Sequence, residues 1–149
     1  MLEVKHAKFC GAVAFSALIK PVDDRSLIFE DGSQLAVRLV QRAGPVIGGP
    51  FDGALMTEWG LHEIATTYGE GQGFIEFAHA SGDKAYFQFM WTGRAVFAVD
   101  GTPAPVMFGS WSARSGSGRY RALSGAGTID IAIPSETERN WQFSGTLSL

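Results

Sequence analysis

A chain of 149 residues with a net charge of −3 and only 18% charged residues has the size of one domain. Its field is too weak and too negative for a nucleic-acid partner, because phosphates demand clustered positive charge. No run approaches the ~18 consecutive apolar residues of a membrane-crossing helix, and the single cysteine, Cys10, leaves no intramolecular disulfide and no Cys-x-x-Cys metal or redox motif.

In chain order, the basic residues Lys5, His6 and Lys8 precede the apolar run Phe9–Ile19, a loose imitation of a secretory signal that Glu3 spoils. The reading is instead a first strand or two over Glu3–Ile19, bent at Gly11, in a cytoplasmic protein. Pro21-Val22-Asp23-Asp24 reads as a turn, and Arg25–Phe29 is the best helical candidate, about a turn and a half long. Gln34–Gln41 alternates as a strand does, before Gly44-Pro45 and Gly48-Gly49-Pro50 break the chain. Ala54–Tyr68 is a strand bending at Gly60, followed by a glycine-rich turn over Gly69–Gly73. Phe74–Ala80 and Lys84–Thr92 flank Ser81-Gly82-Asp83, the clearest hairpin. Arg94–Val99 follows Gly93 and ends at the Asp100-Gly101 turn. Pro103-Ala104-Pro105 is extended loop, Val106–Arg114 a strand, and Ser115-Gly116-Ser117-Gly118 a turn. Gly127–Ile133 and Asn140–Leu147 are the last strands, separated by Pro134-Ser135-Glu136-Thr137. Arg114, Arg119 and Arg121 form the longest basic cluster and read as a solvated hairpin rim.

About eight or nine short strands at regular spacing, with 19 glycines spread among them, make an all-β domain over residues 1–149, sandwich or barrel. Closure into an antiparallel barrel is favoured, because an open sheet this apolar would leave adhesive edges. The charge fraction lies below the usual ~25% of globular domains. Oligomer contacts or a lined cavity would account for that.

The stretch Phe108–Leu147 resembles the allene oxide cyclase and dirigent-like barrel superfamily. Ser115-Gly116-Ser117-Gly118-Arg119-Tyr120 is similar to its glycine-rich turn ending in an aromatic, with Gly125 five residues beyond Tyr120. Thr128–Ile133, Pro134 and Trp141–Leu147 repeat its order of strand, proline turn and terminal strand. Ser115 and Ala122 stand where the family often has glycine. The resemblance implies a closed, calycin-like barrel of about eight strands, often oligomeric, with a cavity for an apolar small molecule. It carries over no catalytic residue, and a shared fold does not transmit activity. The Gly116-x-Gly118 pair is not a phosphate cradle, since no P-loop lysine and no strand-to-helix step follow it.

Chemistry in such a barrel belongs to polar side chains turned inward. Glu58 and His62 are evenly spaced on one strand. Glu76 shares parity with Phe74 and Ala78, and Tyr86 with Gln88. Glu58, His62, Glu76 and Tyr86 are therefore the catalytic candidates, a set suited to acid–base work, with Trp59, Gln88, Trp91 and Trp111 as ligand-binding candidates. The alternative is that the even positions face water while Phe87, Phe89 and Trp91 fill the core. Three histidines without ligand spacing argue against a metal, and no cofactor is expected. The functional expectation is a homo-oligomeric barrel holding an apolar small molecule, with isomerase or cyclase chemistry by confinement and proton transfer. The competing expectation is a non-catalytic barrel whose outer face builds an interface.

Overall fold

The computed structural model describes residues 9–97, 100, 101 and 103–149. Eight antiparallel strands follow one another in chain order and the eighth pairs with the first, closing a barrel. They are β1 (Cys10–Ile28), β2 (Ala36–Ile47), β3 (Leu55–Ile64), β4 (Tyr68–Ala78), β5 (Lys84–Phe97), β6 (Pro103–Gly116), β7 (Ser124–Ala132) and β8 (Arg139–Ser148). Closure satisfies every wall strand on both sides and removes the edges that an apolar open sheet would expose.

Several local readings change. Pro21–Asp24 does not turn the chain and Arg25–Phe29 is not helical: β1 runs on to Ile28 beside β2, absorbing the proline in a register shift between Pro21 and Asp23. Tertiary pairing here overrides a weak local preference. Gly69–Gly73 is no turn either. The turn is at 65–67, and the glycines lie inside β4. Lys84–Thr92 and Arg94–Val99 merge across Gly93 into β5, and Pro103–Pro105 opens β6. Residues 3–8 of the expected first strand and the end of Arg94–Val99 lie outside the described residues.

In an up-and-down barrel the connections alternate between ends. One end carries the links after β2, β4 and β6, and two of these push aromatic rings inward. A 3-10 turn over Gly49–Phe51, entered through Gly48 at φ 82°, buries Phe51. A second over Gly118–Tyr120 buries Tyr120. The second turn is latched to the β4–β5 hairpin. Asp83 accepts from the backbone N–H and the Nε of Arg119 at 3.3 and 3.2 Å, and Ser117 Oγ accepts from the Lys84 N–H at 3.0 Å. A side chain at Gly118, whose φ is 57°, would collide with the Asp83 carboxylate. The two hydrogen bonds from Arg119 hold the Asp83 carboxyl below its ordinary pKa. The motif that carries the family resemblance is thus a structural clasp, and Arg119 belongs to it rather than to a free basic rim.

Behind these plugs the interior is packed and aromatic. Phe51 stacks on Phe77 at 4.6 Å between centroids, Phe87 on Trp111 at 4.5 Å and Phe15 on Phe143 at 4.8 Å. Such pairs add ~0.5–1.5 kcal/mol each beyond their burial. Phe89 and Trp141, edge to face at 5.0 Å, form the last apolar layer. Beyond it, toward the opposite end, the interior changes character.

The rim at that opposite end is uneven. β8 starts at Arg139, opposite Ile19, so residues 20–28 of β1 pair only with β2. Likewise β6 meets β7 only from Met107 onward, and its first residues pair with β5 alone. Two hairpin ribbons therefore rise past a wall that is lower at β7 and β8. We call this end the mouth.

Candidate site in the mouth of the barrel

The mouth is built by strands that run against the ordinary pattern. On β2 and β3 the even positions point inward, so Val40, Arg42, Gly44, Met56, Glu58 and His62 are buried. The odd positions point outward, leaving Leu39 57% and Trp59 52% exposed. Polar side chains are inside and apolar ones outside.

Glu58 and His62 meet within this interior. Glu58 is fully buried, His62 is 3% exposed, and His62 Nε2 lies 2.7 Å from Glu58 Oε2. Gly60 makes the contact possible. It stands between them on the same face, and a Cβ there would come within 2.6 Å of Glu58 Oε2 and 2.9 Å of His62 Nε2. A strand places alternate residues on one face, and removing the middle side chain lets the outer two lean together. The His62 ring also packs edge to face on Trp91 at 5.0 Å. Trp91 in turn fills space left by β4: a Cβ at Gly71 would lie 2.2 Å from its Nε1.

Three arginines complete the setting. Arg38 and Arg42 come from β2, and Arg139 from the start of β8. Arg42 is 6% exposed and donates through Nη2 to Asp24 Oδ2 at 3.1 Å. Arg139 Nη1 lies 3.2, 3.3 and 2.8 Å from the carbonyls of Ser135, Glu136 and Glu138. Burial holds the Arg139 guanidinium below its ordinary pKa. Repulsion from Arg42 and Arg38 adds to this, while Glu58 and Asp24 pull the other way. Six groups from four strands, Asp24 on β1, Arg38 and Arg42 on β2, Glu58 and His62 on β3 and Arg139 on β8, thus share one field.

A cavity of about 340 Å³ opens above this cluster. Arg38, Arg42, His62, Trp91 and Arg139 line its depth, with Ile64, Met107 and Ile133 as apolar wall and 65–67 as part of its rim. Glu58 is absent from the lining and sits behind His62. The hydrogen bond to Glu58 occupies His62 Nε2 and leaves Nδ1 as the ring's second proton-exchanging nitrogen. That arrangement can accept and return a proton.

Of the residues singled out in the sequence, the structure brings Glu58, His62 and Trp91 together. Trp111 points inward but belongs to the aromatic half, stacked on Phe87, with its Nε1–H donated to the Ser144 carbonyl at 3.1 Å. Glu76, Tyr86, Gln88 and Trp59 are corrections. On β4 and β5 the odd positions Ile75, Phe77, Ala85, Phe87 and Phe89 are buried, so Glu76, Tyr86 and Gln88 face outward, as Trp59 does at an odd position of β3. Glu76 lies 3.6 Å from Lys84 Nζ on the outer wall. Trp59 and Gln88 border an external groove of about 650 Å³ together with Arg25, Leu39 and Phe74. Facing water, as weighed for the even positions, is right for β5 and wrong for β3.

Arg38, Arg42 and Arg139 escape a sequence reading, because arginine alternating with apolar residues is the usual mark of an outward position. A usable signal is Gly60: a glycine in mid-strand, with Glu58 and His62 each two residues away, marks a close approach. Among the described residues no group of histidine, cysteine and carboxylates is arranged to hold a metal ion. The chain matches no family model, no curated protein and no solved structure, so the site is read from its own geometry.

Proposed function

We propose that the barrel holds a small molecule, largely apolar, in the mouth half of its interior, and that His62 moves a proton on it. The reading rests on one observation: a buried Glu58–His62 pair, 2.7 Å apart, beneath a cavity that His62 lines. Its volume of about 340 Å³ falls in the lower range of small-molecule sites. Ile64, Met107, Ile133 and the face of Trp91 supply a wall that confines a flexible chain in one folded conformer. Confinement lowers the entropic cost of reaching a cyclic or rearranged transition state. His62 is the acid–base group, and Glu58 is a positioning residue that fixes the orientation of its ring. Isomerisation or cyclisation needs no more than this. The resemblance to allene oxide cyclase barrels points in the same direction.

The test is binding of the neutral fluorophore phenylnaphthylamine. Saturable single-site binding is expected, weakened at least about tenfold by Met107→Trp, which fills the cavity from β6; one charged or packed contact commonly has an effect of that size. Absence of saturable binding, or binding indifferent to Met107→Trp, would refute the reading.

A second reading has its own support. Leu39, Trp59, Leu61, Phe74, Met90 and Phe108 expose a broad apolar outer face across β2 to β6. Such a face marks an interaction surface. We infer that a second copy of the chain covers it, because Arg25, exposed beside its partner Asp23, borders one side and Glu63 and Glu70 the other, so that a two-fold axis can bring Arg25 to the acidic side of its copy. This interface is compatible with a functional mouth. A monodisperse monomer in light scattering at high concentration would remove it.

A further inference from the structure

The mouth cavity is oddly charged for this chain. The protein has 15 acidic residues to 12 basic ones. Yet the cavity lining includes Arg38, Arg42, Arg94, Arg139 and His62 and, among the described residues, no carboxylate. The nearest acids lie behind the lining: Glu58 Oε2 meets His62 while its Oε1 is buried with no hydrogen-bond partner in the protein, and Asp24 Oδ2 accepts from Arg42. The Nε atoms of Arg38 and Arg42 and the Nε1 of Trp91 are buried with no hydrogen-bond partner in the protein.

We propose that the ligand carries an oxyanion at one end of its apolar body, in the simplest case a carboxylate, and that Arg38, Arg42 and Arg139 bind it. This deepens the small-molecule reading above and rests on it. An unpaired buried charge is among the costliest features a fold can carry. Among the described residues only Arg42 of the three has a carboxylate partner, Asp24; Arg38 has its Nε buried without one, and Arg139 is held by carbonyls alone in the repulsive field of the other two, so an anion between them offsets that cost. The planar guanidinium suits this role because its parallel N–H pair matches the two oxygens of a carboxylate. The cluster is also pre-organised. The Ser135, Glu136 and Glu138 carbonyls hold one nitrogen of Arg139, and Asp24 holds one nitrogen of Arg42, so little ordering remains when a ligand arrives. Anion and reacting centre are then separated within one molecule: the head group sits among the arginines, and the apolar remainder runs past His62 and Trp91 toward Met107 and Ile133. The ligand class is an amphipathic organic acid.

The experiment compares anilinonaphthalene sulfonate with its desulfonated parent, phenylnaphthylamine, on the full chain. The two share a ring system and differ by the anion. The sulfonate is expected to bind at least about tenfold tighter, the effect of one charge-assisted hydrogen bond. In the double variant Arg38→Met, Arg42→Met that preference disappears, the sulfonate losing at least about tenfold more affinity than the parent; Arg38→Met alone reduces it in part. Arg25→Met, in the external groove, changes neither probe. Equal affinity of the two probes for the wild type overturns the anion site and leaves the small-molecule reading standing. Failure of both probes to bind overturns both. A preference that survives in the double variant and vanishes in Arg25→Met moves anion binding to the outer groove and overturns the assignment.

Discussion

The two halves of the barrel interior obey opposite rules. In the closed half, inward positions are Phe15, Phe51, Phe77, Phe87, Trp111 and Phe143, ring against ring. In the mouth half, inward positions are Arg38, Arg42, Glu58, His62 and Arg139, while Leu39, Trp59 and Leu61 are turned outward. Burial of apolar area drives folding, so the first half explains why the chain closes. The second half works against that drive, since ionised groups lose hydration on burial and regain only part of it from one another. A fold that meets its stability requirement at one end can hold a strained, reactive arrangement at the other.

If that division is right, the largest effects on stability arise in the closed half. Phe77 touches Phe15, Phe51, Phe87 and Phe143 and is completely buried. Phe77→Ala is expected to cost ~3–5 kcal/mol, the loss for a large aromatic cut out of a packed core. Denaturant titration checks this, and a loss below ~1 kcal/mol would mean that the aromatic cluster is not what closes the barrel.

A smaller effect of a different kind is expected at Gly60. Gly60→Val places methyl groups where Glu58 Oε2, His62 Nε2 and Val40 now lie. The expected cost is ~1–3 kcal/mol, as for other overpacked interiors. The more telling readout is the His62 ring, whose NMR resonances should move as its contact with Glu58 is forced apart. Unchanged His62 ring resonances would show that the pair does not depend on the gap at Gly60.

These contrasts also explain what was legible in the sequence. The barrel was legible because its closed half follows alternation: Phe87, Phe89 and Trp91 on β5, Trp141 and Phe143 on β8, with turns at Ser81-Gly82-Asp83 and Ser115–Gly118 that local chemistry sets. The long β1 was hidden, because Pro21 and Asp23-Asp24 carry turn preferences that pairing with β2 overrides. Glycines at Gly69 and Gly71 imitate a turn while serving as space for the Trp91 indole. In the site, Glu58 and His62 could be named from even spacing, but the same rule drew in Glu76, Tyr86 and Gln88, which point out. Parity fixes which residues share a face and is silent on which face is inside. Arg38, Arg42 and Arg139 were invisible for a stronger reason: their burial contradicts the average behaviour of arginine, and only the closed topology brings β2 and β8 together with β1 between them.

The sharpest test of the comparison has the smallest effect and the opposite sign. Arg38 projects from β2 into the mouth with its Nε buried and without a protein partner, in the field of Arg42 and Arg139. Were the arginine cluster a structural brace, Arg38→Met would destabilise the fold, as truncating a paired buried charge does by ~3–5 kcal/mol. A group retained for binding behaves otherwise. Methionine keeps the apolar stem, removes one of three mutually repelling charges and needs no hydrogen bond. The expected result is a stability unchanged or raised by up to ~1 kcal/mol, since apolar replacements of buried charges are often neutral or favourable. The gain should be larger at low salt, where repulsion is least screened. Measured by denaturant titration at two ionic strengths, an unchanged or raised stability accompanied by a partial loss of the sulfonate preference would assign Arg38 to binding. A loss of several kcal/mol would instead make the mouth a second load-carrying half and dissolve the distinction between the two ends.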